Sequence, residues 1–396
     1  MEDLTWATII PLIGGSAIGC FEATKKKPEY HLSYSAFNKN EEHLTSYWKD
    51  VPRVVLDEGN LIPNKQIDFV NSVCPCAGLS QLNQSQDRNV RESRNYWMYE
   101  AAKRVLGEVQ PRVYWGENAP ALFTKSGEYV REKLWLIAKQ YGYSFSLYRT
   151  STFKHGIPQK RLRTFYFFWK SDTPPILNWY DRECKNLKEY LDEIPQGCTH
   201  DDEHNIKNIF EEYPSYGFLL NKHNLSHEDF IQKFKINDSL HTAIRKHNMF
   251  DECIEWLKEN HQDSKELKKL KHAKDKILAG KNFMDCSPTF FSGDYSNAIV
   301  GRTLNSMVHP KECRGMSYRE LMHMMGLPFD FNLQSDNLNH LAQNVPTCTA
   351  RDMTLEVLKF LNNELQYHHE PFLKQDNVKR KLSTPTVLPS LPLAYQ

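Results

Sequence analysis

The stretch LTWATIIPLIGGSAIGCF, residues 4–21, carries no charge over 18 positions, and its reading decides the fold. That length approaches a membrane span or the core of a signal peptide. Against both stand the acidic flank of Glu2 and Asp3 and the interruptions at Pro11, Gly14, Gly15 and Gly19. A buried strand at Ala7–Ile13, a glycine turn and a short helix fit better. Such a turn offers backbone N–H groups to a ligand, and glycine permits close approach. The same rhythm continues outward from this stretch. Arg53–Leu56 and Ile67–Val73 are short apolar runs, Trp97–Leu106 has helical spacing and Val113–Trp115 reads as a strand. Lys133–Tyr141 reads as a helix, and Phe145–Tyr148 and Thr164–Trp169 as later strands. Alternation of this kind predicts an α/β protein built on a doubly wound parallel sheet.

A chain of 396 residues is long enough for two or three domains. Its 50 Lys+Arg nearly cancel its 49 Asp+Glu, which excludes a simple polycationic coat for nucleic acid. The balance is uneven, however: +6 over 1–170, −5 over 171–290 and 0 over 291–396, with +5 in 151–170 alone. Any polyanion site is therefore local. Nine cysteines, an odd number, make no disulfide framework and place the chain in a reducing compartment, expected to be cytoplasmic. After Trp169 a proline-bearing linker, SDTPPILNW, ends the sheet rhythm. Residues 225–281 read as helical, including Phe250–Glu259 and a lysine-rich run from Ser264 to Lys276, read as a solvated face with DNA contact as the alternative. The segment from Pro371, with four prolines and a basic KRK, reads as an extended peripheral tail.

Four segments carry chemistry. The first is the glycine turn at Gly14 and Gly15. The second, Asp68–Ser80, puts Cys74-Pro75-Cys76 just past a strand end, where α/β sheets keep their active sites. A thiolate there can act as a nucleophile. Cys-Pro-Cys lacks the spacer of ordinary zinc knuckles, so no metal is expected. The third, Gly116–Leu122, holds Glu117 in a proline-bearing turn, as a general acid or as part of a helix cap. The fourth, Gly156–Arg163, feeds the strand TFYFFW. Strand alternation sends Arg161 and Arg163 to one face, a pairing suited to an anion or a base carbonyl.

Taken together and in this order, the segments resemble the DNA cytosine-C5 methyltransferase family. Pro75-Cys76-Ala77-Gly78-Leu79-Ser80 is similar to the family's Pro-Cys loop, and Glu117-Asn118-Ala119 to its Glu-Asn-Val stretch. Gln159, Arg161 and Arg163 match its Gln-x-Arg-x-Arg motif. His309-Pro310, Met316–Glu320 and Met325–Pro328 resemble the penultimate motif, and Gln343-Asn344-Val345-Pro346 the closing one. The likeness spans roughly 8–170 and 296–355. The sequence departs where the family reads Phe-x-Gly-x-Gly-Gly, here Leu-Ile-Gly-Gly-Ser-Ala-Ile-Gly, and Gln343 replaces the closing glycine. No acid stands at Tyr34–Asn38, where the cofactor ribose would expect one; Glu41 and Glu42 come slightly late.

The resemblance implies a Rossmann-like S-adenosylmethionine-dependent methyltransferase sheet with a smaller target-recognition domain. Its parts would be 1–172, a recognition domain at 173–310, a return at 311–370 and the tail at 371–396. Cys76 would add to carbon-6 of cytosine, Glu117 would serve N3, and Arg163 with Arg161 would hold the base carbonyl. Gly14, Gly15, Gly19, Asp57, Pro75 and Asn344 would meet the cofactor; Ser80, Gln159, Arg161 and Arg163 would meet double-stranded DNA. No membrane partner and a monomer are expected. An RNA cytosine methyltransferase would share every one of these residues. A silent DNA-binding relative would have no reason to keep them, and a thymidylate-synthase-type enzyme would have no reason for the motif order.

Overall fold

A computed structural model describes residues 3–75, 78–79, 95–281, 287–301, 304–334 and 337–384. The strands are β1 (Trp6–Ile9), β2 (His31–Ser33), β3 (Arg53–Val55), β4 (Phe69–Ser72), β5 (Val113–Asn118) and β6 (Ser144–Ser151). They continue with β7 (Gln159–Lys160), β8 (Leu162–Trp169), β9 (Ser296–Asn297), β10 (Phe372–Asp376) and β11 (Lys381–Ser383). Nine of them form one sheet in the order β11-β10-β6-β8-β5-β4-β1-β2-β3, and β7 pairs with β9 in a separate ribbon.

The central strands are apolar because both faces are covered. β1, β4 and β5 are buried along their whole length, and the Trp6 and Phe69 rings stack at 5.6 Å across β1 and β4. Helix Gly15–Thr24, directly after β1, packs on helix Thr347–Leu361. Gly19 permits that approach, since a Cβ there would lie 2.5 Å from the carbonyl oxygen of Thr347. The C-terminal part of the chain therefore completes the layer that the first helix begins.

Two expectations are corrected here. The sheet is not wholly parallel: β8 runs antiparallel to both β5 and β6. Residues 152–161 between β6 and β8 are too few for a crossover, so the chain turns back on itself. Nor is the segment from Pro371 a peripheral tail up to Ser383. β10 pairs in parallel with β6, with Phe372 and Leu373 buried, and β11 pairs antiparallel with β10. Its alternation was hidden by Lys374, Gln375 and Asp376; the last forms an ion pair with Arg149 of β6.

Among the described residues, the buried apolar side chains form two large cores and a small cluster of Ile157, Tyr190 and Cys348. One surrounds the sheet and takes in Leu177, Tyr180, Leu187 and Leu191 as well as Phe291, Ile299 and residues of the C-terminal return. The other runs from Ile206 to Ala273 and includes Phe290 and Val308. The second core is thus helical and narrower than 173–310. Among the described residues, no helix is long and apolar enough to cross a membrane.

Candidate active site

The loops that follow β1, β4 and β5 meet at the carboxyl edge of the sheet, and the C-terminal return closes over them. After β1 the chain adopts left-handed conformations at Ile10 (φ 51°) and Leu12 (φ 50°) before Gly14 (φ 103°). Such conformations are strained for a β-branched isoleucine and a bulky leucine, and strain of this kind gathers at functional sites. Gly14 caps helix Gly15–Thr24, and a Cβ there would run into the Leu44 side chain at 2.5 Å. The Gly15 N–H donates to Asn344 Oδ1 at 2.8 Å. A Cβ on Gly15 would lie 2.3 Å from that oxygen and from the Val345 carbonyl oxygen. Asn344 Nδ2 is buried with no partner among the described residues, so a donor is left beside the glycine turn for a ligand to take. This fits a cofactor cradle built from Gly14, Gly15 and Asn344. Gly19, by contrast, faces the Thr347–Leu361 helix and belongs to packing.

Asp57 stands in the turn Leu56–Glu58 after β3. Its carboxylate accepts from the Ser35 N–H at 2.8 Å and the Ser35 hydroxyl at 2.5 Å. These bonds hold its carboxyl below the usual carboxylate range. Ser35, a residue the sequence reading passed over, thereby fixes an exposed carboxylate between the ends of β2 and β3. Glu41 is not available to a ribose: it is buried and bonded to Arg53 Nε at 2.9 Å. At the end of β2 the place is taken by Tyr34, whose ring lies 4.7 Å from Trp97; Phe37 lies 4.9 Å from the same indole.

Cys74 is buried, and desolvation pushes its thiol up to about 12, so it stays protonated near neutral pH. Tyr166 reaches its sulfur at 3.9 Å, within a hydroxyl cluster in which Ser72 meets Tyr114 at 2.9 Å and Tyr166 at 3.0 Å. Pro75 follows, half-buried, and Gly78 and Leu79 are buried or nearly so. Cys76 and Ser80 lie outside the described residues.

Glu117 projects from β5 in a buried position, 3 % exposed. Arg163 of β8 approaches it with Nε 2.6 Å from Oε1. Burial raises the Glu117 carboxyl above its ordinary value, with Arg163 and then Arg161 opposing the rise. A carboxyl held this way can donate or accept a proton nearer neutrality than an exposed one.

The two arginines do not act as a matched pair. Arg161 is buried, and its guanidinium donates to the carbonyls of Ile299 (2.5 Å), Ala342 (2.9 Å) and Asn344 (2.9 Å). Gln159 is also buried, with Nε2 donating to the Met324 carbonyl at 2.8 Å and Oε1 accepting from the Ile299 N–H at 3.3 Å. Both residues tie the return to the sheet. The expectation that they face a base or DNA assigned to a ligand hydrogen bonds that the protein's own backbone takes. Arg161 lies between β7 and β8, and nothing in the sequence marks it as covered.

Among the described residues, no group of three His, Cys, Asp or Glu could hold a metal ion. The fold and this edge define a Rossmann-like methyltransferase. Two solved structures share the fold: a DNA modification methyltransferase encoded within an E. coli prophage (TM-score 0.57, 15 % identity, 91 % of this chain and 100 % of that one) and the Entamoeba histolytica methyltransferase EhMeth (TM-score 0.55, 11 % identity, 91 % and 99 %). The sequence profile of the C-5 cytosine-specific DNA methylase family matches residues 17–348, and the chain belongs to that family. It is 27 % identical over 177 residues to the type II methyltransferase M.DdeI of Desulfomicrobium norvegicum; the match spans 41 % of this chain and 40 % of that relative.

Proposed function

We propose that the chain transfers a methyl group to carbon-5 of cytosine in duplex DNA. The observation that carries the reading is the buried Glu117, its carboxyl raised by burial and paired with Arg163 at the sheet edge. When bound, S-adenosylmethionine supplies an electrophilic methyl group. Gly14, Gly15 and Asn344 hold it against the turn after β1, and Asp57 takes its adenosine end. Carbon-5 of cytosine is a poor nucleophile until carbon-6 gains an electron-rich substituent. Cys76, as its thiolate, forms that bond on the strength of its Pro-Cys setting, and loss of the carbon-5 proton after methylation breaks it again. Cys74 cannot, because its thiol is buried. Glu117 stabilises the charge that develops at N3, and Arg163 orients Glu117 and the base edge. The target base leaves the stack to reach these groups. The helical unit within 173–310 reads the site, and the chemistry is cytoplasmic.

The test is covalent trapping. DNA carrying 5-fluorocytosine at the target is expected to form a denaturant-resistant adduct, because fluorine cannot leave as the proton does. Cys76→Ser abolishes the adduct and Cys74→Ser retains most of it. Mass spectrometry of DNA, RNA and dCMP after incubation with labelled cofactor fixes the substrate. Label appearing on RNA alone, or trapping that survives loss of Cys76, overturns the reading.

A further inference from the structure

Helix Lys265–Leu278 closes the second core with Leu267, Leu270 and Ala273. Its acidic residue in the first turn is turned inward: Glu266 is buried, accepting from the Ser215 N–H at 3.0 Å and the Ser215 hydroxyl at 2.5 Å. Two of its lysines are engaged, Lys274 with Asp251 at 2.8 Å and Lys269 over the Tyr213 ring at 5.3 Å. Lys265, Lys268 and Lys271 are exposed, Lys276 is half-exposed, and none of the four has an ion-pair partner among the described residues. At 3.6 residues per turn, Lys265, Lys268, His272 and Lys276 fall within an arc of about 80°, opposite the buried side, with Lys271 flanking them and one exposed acid, Asp275, between Lys271 and the arc. The stripe is about 16 Å long at 1.5 Å per residue.

We propose that this face tracks the phosphate backbone of duplex DNA, holding the helical unit on its substrate without reading sequence; the inference rests on the function proposed above. Residues 171–290 are net acidic by five charges, so the cations of this face are a concentration against the local composition. A linear row of unpaired ammonium groups matches a polymer with one charge per about 3.4 Å along each strand, and about five phosphates lie within its reach. Phosphate contacts position a protein, whereas base edges specify the site.

The experiment measures binding of the full chain to a duplex of about 30 base pairs across a range of salt concentrations. Each phosphate contact contributes about 0.9 to the slope of log affinity against log salt. Changing Lys265, Lys268, Lys271 and Lys276 together to Gln is expected to reduce that slope by about 3–4. Between about 50 and 200 mM salt, the wild-type chain then loses about 100-fold more affinity than the variant. The cytosines that become methylated stay the same. An unchanged slope in a variant with wild-type circular dichroism and melting overturns this inference while wild-type methylation of DNA stands. A wild-type chain that binds duplex RNA with the steeper slope overturns the choice of occupant. Failure of the wild-type chain to methylate DNA is a different result and strikes the proposed function itself.

Discussion

At the carboxyl edge of the sheet, Glu117, Arg161 and Gln159 are buried and bonded inward, whereas on helix Lys265–Leu278 Glu266 is the one buried charged residue and Lys265, Lys268 and Lys271 stand in solvent. The first region holds its charges in fixed positions at a high desolvation cost, offset by partners within the chain. The second leaves its charges hydrated and mobile, and so available to a partner that brings many phosphates. Substitutions in the first region should therefore damage rate or stability, and those in the second only affinity.

The largest effect is expected at Glu117. Glu117→Gln removes the buried carboxyl and should lower the methylation rate by about 10²–10⁴ with DNA binding retained. Normal turnover would place the acid elsewhere. Next comes Arg161→Met, which strips three carbonyls of a charged donor and should cost about 3–5 kcal/mol in urea unfolding. A loss under about 1 kcal/mol would mean that the return is held by other contacts. Gly15→Ala should cost about 1–3 kcal/mol by overpacking and abolish binding of S-adenosylhomocysteine in calorimetry. Wild-type affinity would remove Gly15 and Asn344 from the cradle.

A smaller effect concerns acid. His43 Nε2 lies 3.0 Å from His340 Nδ1, and the Gln334 N–H donates to His43 Nδ1 at 3.0 Å, joining helix Asn38–Tyr47 to the return. Burial, with His340 beside it, lowers His43 to about 4. The unfolded chain therefore takes up the proton first as pH falls below about 6.5. Stability from this clamp is full above that pH and is lost progressively toward pH 4. His43→Gln should shrink the difference in melting temperature between pH 7.5 and pH 5; an unchanged difference would trace the acid sensitivity to other groups. The smallest effect should be on the stability of the four-lysine variant, within about 0.5 kcal/mol of wild type. A larger loss would mean that those side chains belong to the fold.

The sequence located β1, β3, β4, β5, β6 and β8 because each is an apolar run bounded by turns, and burial on both faces leaves that mark. β2, only His31–Ser33, and β10 were too short or too polar to stand out. The reversal of β8 depends on the length of the connection before it, which apolar content does not encode. At the site, residue type and order pointed to Glu117, Gly15 and Asn344, each of which the fold brings to the sheet edge. For Arg161, Gln159 and Gly19 the sequence hid their partners within the chain for one reason: whether a polar or small residue meets another segment depends on contacts more than 130 residues distant in the chain. Ser35 carried no signal at all, since its role exists only because Asp57 lies opposite.

The strand order has a consequence for synthesis. β6 is complete near residue 151, but the residues of its partner on one side, β10, lie 227 positions beyond those they pair with. At about 5–20 residues per second, a ribosome needs roughly 10–45 s to deliver it. During that interval the nascent chain presents an open strand edge, the form of surface that pairs with other chains. Gly15 waits still longer for Asn344. Premature termination before Phe372 would thus leave an unprotected edge next to an assembled catalytic layer, and the cell would meet it as a client for chaperones before it met it as an enzyme.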